Sequence, residues 1–115
     1  MTHMERGQVF LLNPDADGKQ RPMVVVSRDE LNRGHSVIVM PCYSQQLDKR
    51  SKLRYCVFLE AGEGGLDKDC VVKADEIATL DKTRFDATRG ALGRLKPKRM
   101  AEIAAALRYV VRDDR

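Results

Sequence analysis

The sequence predicts a mainly β fold with some α-helix, in which a small, partly closed antiparallel barrel carries one packed C-terminal helix. Short β-rich runs recur along the chain, and tight turns rich in Gly, Pro, Asn and Asp separate them. A long helical pattern occurs only near the C-terminus. A chain of 115 residues suits one hydrophobic core, so we expect a single domain over residues 1–115.

The first half of the chain contains three predicted strands, at residues 7–12, 23–27 and 36–42. Residues 13–22 are dense in Asn, Pro, Asp and Gly, and predict a hairpin loop. The second strand includes three consecutive valines, which is typical of a strand buried on both faces. Pro41 lacks an amide hydrogen, so it predicts an edge strand or an irregular strand end.

The second half contains a predicted strand at residues 53–60, a mostly extended segment at residues 70–80 and a last short strand at residues 89–95. The Gly-rich segment 61–69 is acidic and joins two strands. Phosphate-binding Gly loops join a strand to a helix instead. We therefore interpret this segment as a turn with left-handed backbone angles.

One amphipathic helix is predicted at the end of the sequence. Pro97 suits the first helical position. The apolar residues that follow recur at helical spacing and predict one stripe packed on the sheet: Met100, Ile103, Ala104, Leu107, Val110 and Val111. Lys98 and Arg99 oppose the helix dipole, which is consistent with a nearby anion or acidic partner, or with simple tolerance of the charges.

Composition excludes several classes of protein. No stretch approaches the roughly 18 continuous apolar residues of a membrane span, and no signal-peptide pattern is present. We therefore expect a cytoplasmic protein without membrane contact. Cys42, Cys56 and Cys70 have no CxxC spacing, and only two histidines accompany them. We expect free thiols, with no metal site and no cofactor.

The basic residues, which give a formal net charge of +4, are clustered. The segment "DKRSKLR" at residues 48–54 contains four of them, and others follow in the C-terminal third. A compact basic segment beside a polar loop is typical of a phosphate-binding track. A solvated loop has the same composition, so both interpretations stay open on charge alone.

Six blocks of the sequence occur in an ordered series. They read "RGQVFLLNPD", "RPMVVVSRDELN", "VIVMPCYS", "AGEGGLDKDCVV", "ADEIATLDKTRF" and "LGRLKPKRMAEI", and they span about residues 6–112. In this order they resemble the MazF/PemK/Kid toxin family. The resemblance implies an SH3-like, CcdB-type antiparallel barrel with small helices and a packed C-terminal helix, assembled as a homodimer.

The resemblance also implies an activity, that of the toxin of a type II toxin–antitoxin system. Such a toxin is a sequence-specific endoribonuclease, or mRNA interferase, that cleaves single-stranded RNA without a metal ion. The implied partners are a cognate antitoxin with an acidic C-terminal segment and, for the toxin–antitoxin complex, operator DNA. The 2′-hydroxyl of the RNA attacks the phosphate, so the protein must assist deprotonation, stabilise phosphate charge and protonate the leaving oxygen.

Arg21 matches the arginine of the family's "RP" block, for which the resemblance implies a catalytic role. A guanidinium can bind a phosphate at two points and stabilise the charge that develops there. The alternative is an arginine at the start of a strand that pairs with Asp15 or Asp17.

The family's catalytic threonine falls within the block that reads "PCYS" here. By position it corresponds to Tyr43, and the serine that follows it corresponds to Ser44. A phenol can donate a hydrogen bond and stack on a base, but it does not fit the volume of a threonine. Tyr43 and Ser44 are therefore both candidates for the active hydroxyl, and the alternative is that both only line the groove.

The PemK/Kid branch has an Arg–x–Asp motif that reads "KAD" here. Lys73 takes the arginine position, and Asp75 takes that of the aspartate, where it would act as a base or orient Arg21. The alternative for Asp75 is a cap on the following turn.

The loop that covers RNA in many relatives is short in this sequence. The residues that would then flank the groove are Gln45, Gln46, Lys49 and Arg50. The basic side chains would bind phosphates, and the glutamines would contact base edges.

Two other functions stay open. Because Tyr43 replaces a threonine, the chain could be a catalytically weakened relative that mainly binds its antitoxin and operator DNA. A gyrase poison of the CcdB type shares the fold, but such toxins end in an aromatic–Gly–Ile tail, whereas this sequence ends "VVRDDR".

Overall fold

Seven strands, all paired antiparallel, form one curled sheet in the computed structural model, which describes residues 3–114. The strands are β1 (Gln8–Leu11), β2 (Pro22–Val25), β3 (Ser36–Tyr43), β4 (Cys56–Leu59), β5 (Cys70–Lys73), β6 (Ala78–Asp81) and β7 (Ala91–Arg94). The helices are α1 (Leu47–Arg50) and α2 (Pro97–Val111). The strand order is β4-β5-β3-β2-β1-β7, and β6 also pairs with β3. This half-barrel with a C-terminal helix confirms the predicted fold class.

Strand β3 is the centre of the sheet, so the prediction of an edge position for Pro41 is wrong. Along one side β3 pairs with β2, and Pro41 lies opposite Met23. Along its other side it pairs with β6 over residues 36–39 and with β5 at residues 42 and 43. Pro41 therefore lies where β3 changes partner, and its missing amide hydrogen leaves no ladder bond unmade there.

The segment at residues 70–80 is not one strand. It divides into β5 and β6, and the 3₁₀ turn Ala74–Glu76 separates them. The turn is closed by a hydrogen bond from the Ile77 amide to the Ala74 carbonyl. The division follows from the pairing along one side of β3, because β5 and β6 pair with opposite ends of that side. The basic segment at residues 48–54 likewise begins within a helix, since α1 includes Arg50.

The sheet buries side chains on both faces, which explains the run of valines in β2. Val24 belongs to one core cluster with Val9, Met40 and the buried face of α2. Its neighbours Met23 and Val25 belong to a second cluster on the other face. In that second cluster Phe10 and Phe85 pack edge to face, with ring centroids 6.2 Å apart.

Helix α2 packs on β4 and on the Ala74–Glu76 turn through Met100, Ile103 and Ala106. The predicted stripe is wrong at its end, because Val110 and Val111 are 37% and 67% exposed. Burial stops near Ala106, so the last turn extends beyond the surface that the sheet offers.

The start of α2 is held by an acidic partner from within the chain. The Arg99 guanidinium contacts Glu63 at 2.8 Å and Glu102 at 2.9 Å. These ion pairs offset the unfavourable position of a cation at a helix N-terminus. The hydrogen bond from Arg99 lowers the pKa of the Glu63 carboxyl.

The Gly-rich turn has the predicted left-handed backbone. Gly62, Gly64 and Gly65 have φ angles of 100°, 60° and 77°. The turn packs against β7, where Gly93 allows the two backbones to meet. Its glycines therefore serve close packing, and no helix follows the turn directly to make a phosphate site.

Candidate active site

A groove of about 780 Å³ lies where the 13–22 loop, the end of β3 and the second half of the Gly-rich segment 61–69 meet. Its charged lining comprises four basic and two acidic side chains: Lys19, Arg21, Lys68, Arg89, Asp15 and Asp67. The net positive lining favours an anionic ligand such as a phosphodiester chain.

Arg21 lies in the wall of this groove, directly before β2. Its backbone carbonyl accepts a hydrogen bond from the Leu12 amide at 3.0 Å, which fixes the hairpin position. Its guanidinium Nη1 donates to the Cys42 carbonyl at 2.9 Å, and its Cζ lies 4.2 Å from the Tyr43 ring centroid. Asp15 instead accepts hydrogen bonds from the amides of its own turn. Within residues 3–114 no ion pair is formed by Arg21.

Tyr43 is the last residue of β3 and lies at the centre of a charged cluster. Besides Arg21, the Arg50 Cζ lies 4.9 Å and the Lys73 Nζ 5.5 Å from its ring centroid. Its hydroxyl donates to the Glu76 carboxylate. Burial and, second, this bond to Glu76 raise the Tyr43 pKa, so the phenol stays protonated at neutral pH.

Ser44 is the first residue after β3, and its exposed side chain lines the groove together with that of Gln45. Gln46 has a positive φ of 56°, which turns the chain into α1. The Arg50 guanidinium donates back to the Gln45 carbonyl at 3.2 Å and ties α1 to this loop. Lys49 is exposed on α1 and does not line the groove.

Lys73 lies beside Tyr43, Asp75 lies beside Lys73, and neither residue lines the groove. The Lys73 ammonium is 2.7 Å from Glu76 and 3.8 Å from Asp75. The hydrogen bond to Glu76 raises the Lys73 pKa, and the bonds from Lys73 and Tyr43 lower the Glu76 pKa. The structure therefore brings Lys73 and Arg50 to Tyr43, whereas Asp75 contacts only Lys73 among them.

Several residues of this region were missed by the sequence interpretation. Glu76, the partner of Tyr43, had one available signal, since it stands three residues after Lys73 at the spacing of an ion pair on a helical turn. The groove cations Lys19, Lys68 and Arg89 come from three separate loops. They form no cluster in sequence, so a search for basic segments passes over them.

Cys42, Cys56 and Cys70 are free thiols, as predicted, and all three are buried. Contact with Cys70 and burial raise the Cys42 pKa, which keeps that thiol protonated beside the groove. No group of three His, Cys, Asp or Glu side chains in the described part of the chain is arranged to hold a metal ion. No helix between residues 3 and 114 is long and apolar enough to cross a membrane.

Comparison with known proteins places this geometry in one family. Residues 5–111 match the family described as PemK-like, MazF-like toxin of type II toxin–antitoxin system. An endoribonuclease MazF from Staphylococcus saprophyticus subsp. saprophyticus is 31% identical over 109 residues, which cover 90% of this chain and 88% of that protein.

Solved structures with the same fold agree with this family assignment. An endoribonuclease from Mycobacterial species, solved in complex with its cognate antitoxin, superposes with a TM-score of 0.76 at 24% identity and covers 97% of this chain and 98% of its own. A second endoribonuclease from Mycobacterial species gives a TM-score of 0.75 at 25% identity, with 96% and 93% covered. The chain therefore belongs to the family of PemK-like, MazF-like toxins of type II toxin–antitoxin systems.

Proposed function

We propose that this chain is a sequence-specific endoribonuclease that cleaves single-stranded RNA by attack of the RNA's own 2′-hydroxyl. The observation that carries the proposal is the position of the Arg21 guanidinium, held in the wall of a net positive groove that the exposed Ser44 also lines. The relative at 31% identity is named an endoribonuclease, which supports the same activity.

Arg21 binds the scissile phosphate. A guanidinium has five N–H donors, and Nη1 already donates to the Cys42 carbonyl, so the other donors are available to the ligand. Because Arg21 forms no ion pair within residues 3–114, its positive charge is not neutralised before RNA binds. The guanidinium stabilises the negative charge that grows on the phosphate as the 2′-oxygen attacks.

Ser44 supplies the aliphatic hydroxyl that a threonine supplies in the family. The Tyr43 hydroxyl is bound to Glu76, and its raised pKa keeps it protonated at neutral pH, so it is not available as a base and acts as a donor and as an aromatic surface. Ser44 lines the groove on an exposed loop and can bind the reacting hydroxyl or a phosphate oxygen. The products are a 2′,3′-cyclic phosphate and a 5′-hydroxyl.

Asp75 is the candidate base that takes the proton from the 2′-hydroxyl. It lies outside the groove lining, so it acts where the bound RNA extends past Tyr43. The carboxylate is exposed and lies 3.8 Å from Lys73, so it contributes either directly or through that ammonium.

The rest of the RNA path follows the charges around the groove. Lys19, Lys68 and Arg89 bind phosphates within the groove, and Gln45 reaches the bases there. On the side of α1, Gln46, Lys49, Arg50 and Lys73 extend the same path. Single-stranded RNA suits it because unpaired bases expose their edges to side chains.

The chemistry requires no metal ion, because the nucleophile belongs to the RNA and Arg21 supplies the positive charge. The substrate class is messenger RNA, which puts the site of action in the cytoplasm. A homodimer would present two such grooves.

The partner that restrains the enzyme is a cognate antitoxin with an acidic C-terminal segment. A mycobacterial relative was solved with its cognate antitoxin, and the net charge of +4 favours an acidic ligand here. The toxin–antitoxin complex binds operator DNA. A weakened, mainly binding role is the second candidate, and the tyrosine at position 43 favours it, because it removes the threonine hydroxyl.

One assay tests the proposal. Purified protein is incubated with a long single-stranded RNA in EDTA, and product ends are mapped. We expect cleavage at a short recurring sequence, ends that carry a cyclic phosphate, and loss of cleavage in Arg21→Ala. No cleavage by the wild-type protein across varied RNAs would support the second candidate instead.

A further inference from the structure

We propose that Glu76 is a positioning residue, which holds the Tyr43 ring so that the ring in turn orients Arg21 for the phosphate. The inference rests on the proposed nuclease function and names a residue that the sequence motifs do not include. It assigns Tyr43 a role that needs no catalytic hydroxyl at that position.

The first step is the bond between Glu76 and the end of β3. The two carboxylate oxygens of Glu76 have different partners, since Oε1 accepts from the Tyr43 hydroxyl and Oε2 accepts from Lys73 at 2.7 Å. Tyr43 ends β3 and Lys73 ends β5, so one carboxylate ties the ends of two paired strands to the following turn. The strand fixes the Tyr43 backbone, and the bond to Glu76 fixes the orientation of its ring.

The second step is the contact between the ring and Arg21. The Arg21 Cζ lies 4.2 Å from the ring centroid, well inside the range of about 6 Å for a cation–π contact. The guanidinium also donates a hydrogen bond to the Cys42 carbonyl. A guanidinium with no carboxylate partner within residues 3–114 depends on these two contacts for its orientation, and a ring released from Glu76 removes one of them.

The mechanism predicts a pattern of cleavage rates. Tyr43→Phe keeps the ring and loses the bond, and Glu76→Ala loses the same bond from the other side. We expect each to lower kcat about tenfold, because misplacing a positioned group costs rate, and to leave KM nearly unchanged, because the other groove cations still bind RNA. The double variant should be no slower than either single variant, since both remove one bond.

Two variants separate positioning from other roles. Lys73→Met removes the second partner of Glu76 and leaves its bond to Tyr43, so kcat should fall less than in Glu76→Ala. Glu30→Gln is the matched control, because Glu30 is a surface carboxylate that pairs with Arg28 at 3.3 Å and with no other cation within residues 3–114, and it should keep the wild-type rate. Additive losses in the double variant, or a wild-type kcat in Glu76→Ala, would overturn the proposal.

A second readout does not depend on nuclease activity. In ¹⁵N-labelled free protein, the Arg21 Hε resonance should be shifted upfield by the Tyr43 ring current, and its assignment follows from its absence in Arg21→Lys. In Glu76→Ala and Tyr43→Phe this resonance should move toward the value of an exposed arginine, while backbone amide spectra confirm the fold. An unmoved resonance would refute positioning, whereas a moved resonance in a protein that cleaves no RNA would refute only the nuclease function.

Discussion

Gly65 packs so closely against Leu92 that a Cβ atom at position 65 would lie 2.1 Å from the Leu92 carbonyl oxygen. The Gly-rich turn therefore packs directly on β7, and any side chain at position 65 would separate the two segments. The same turn carries Glu63, which binds Arg99 at the start of α2. The turn thus connects β7, through this backbone contact, with the start of α2, through the Glu63–Arg99 ion pair.

Gly65→Ala should destabilise the protein much more than Gly18→Ala. Both glycines have a φ of 77°, so the conformational strain of an added Cβ is matched. Nothing lies within 4 Å of a Cβ at Gly18, whereas position 65 meets backbone. We expect a difference of at least about 2 kcal/mol in the free energy of unfolding by urea, as for overpacked sites. Equal losses would show that the turn can move away from β7.

Arg21→Lys should fail to restore activity. A lysine keeps the charge but has no planar fork for the Cys42 carbonyl and a phosphate together. We expect Arg21→Lys and Arg21→Ala each to lower kcat/KM by about two to three orders of magnitude, as for loss of a transition-state donor. Single-turnover cleavage measures the effect. The control is Lys49→Ala, outside the groove lining, in which kcat/KM should fall much less. A lysine variant near the wild-type rate would mean that charge alone suffices.

Ser44→Ala should be more harmful than Tyr43→Phe. If Ser44 is the active hydroxyl, its removal should slow cleavage about 100-fold or more, the usual scale for a general acid–base group. Loss of the Tyr43 hydroxyl should have the smaller effect expected of an anchor. The reverse order of the two rates would assign the reacting hydroxyl to Tyr43.

The titration of Tyr43 should depend on Glu76. Burial and the Glu76 carboxylate both raise the Tyr43 pKa, so the phenol should lose its proton above the usual value of about 10. In Glu76→Gln the titration should move to lower pH, yet only partly, because burial is the larger cause and remains. The absorbance of the phenolate through the alkaline range, with the titration of Tyr43→Phe subtracted, isolates this group from the other two tyrosines. An unchanged titration would contradict the bond to Glu76.

The protein should lose stability in acid, and Glu63 should contribute to the loss. The bond to Arg99 lowers the Glu63 pKa in the folded state, so its stabilisation is present above the unfolded pKa of about 4.3 and is lost as the pH falls through the folded value. We expect Glu63→Gln to lower Tm at neutral pH by a few degrees and to reduce the fall in Tm below about pH 4.5. Glu30→Gln, which removes an exposed ion pair, should change neither Tm at neutral pH nor the fall in Tm in acid.

The sequence was sufficient for the features that depend on local pattern. The strands around the valine run and the helix after Pro97 occur where the hydrophobic periodicity predicts them. The Gly-rich segment forms the predicted turn because glycine is the residue that adopts positive φ without strain. Arg21 and Ser44 line the groove.

The features that sequence did not reveal depend on contacts between distant residues. The position of Pro41 inside a central strand follows from the change of partner along β3, which no local pattern records. Glu76 reaches Tyr43 across 33 positions in sequence. The exposure of Val111 depends on where the sheet surface ends beneath α2, which periodicity alone cannot show.

The end of β3 also divides what can vary in this enzyme from what cannot. From Val39 to Cys42 the chain is buried in β3 among its neighbouring strands, so a substitution there would disturb the core. After Ser44, the exposed residues Gln45 and Gln46 lead into α1, and few packing contacts limit substitution there. We therefore expect substitutions at Gln45 and Gln46 to change target preference without disturbing the core or the proposed cleavage residues Arg21 and Ser44.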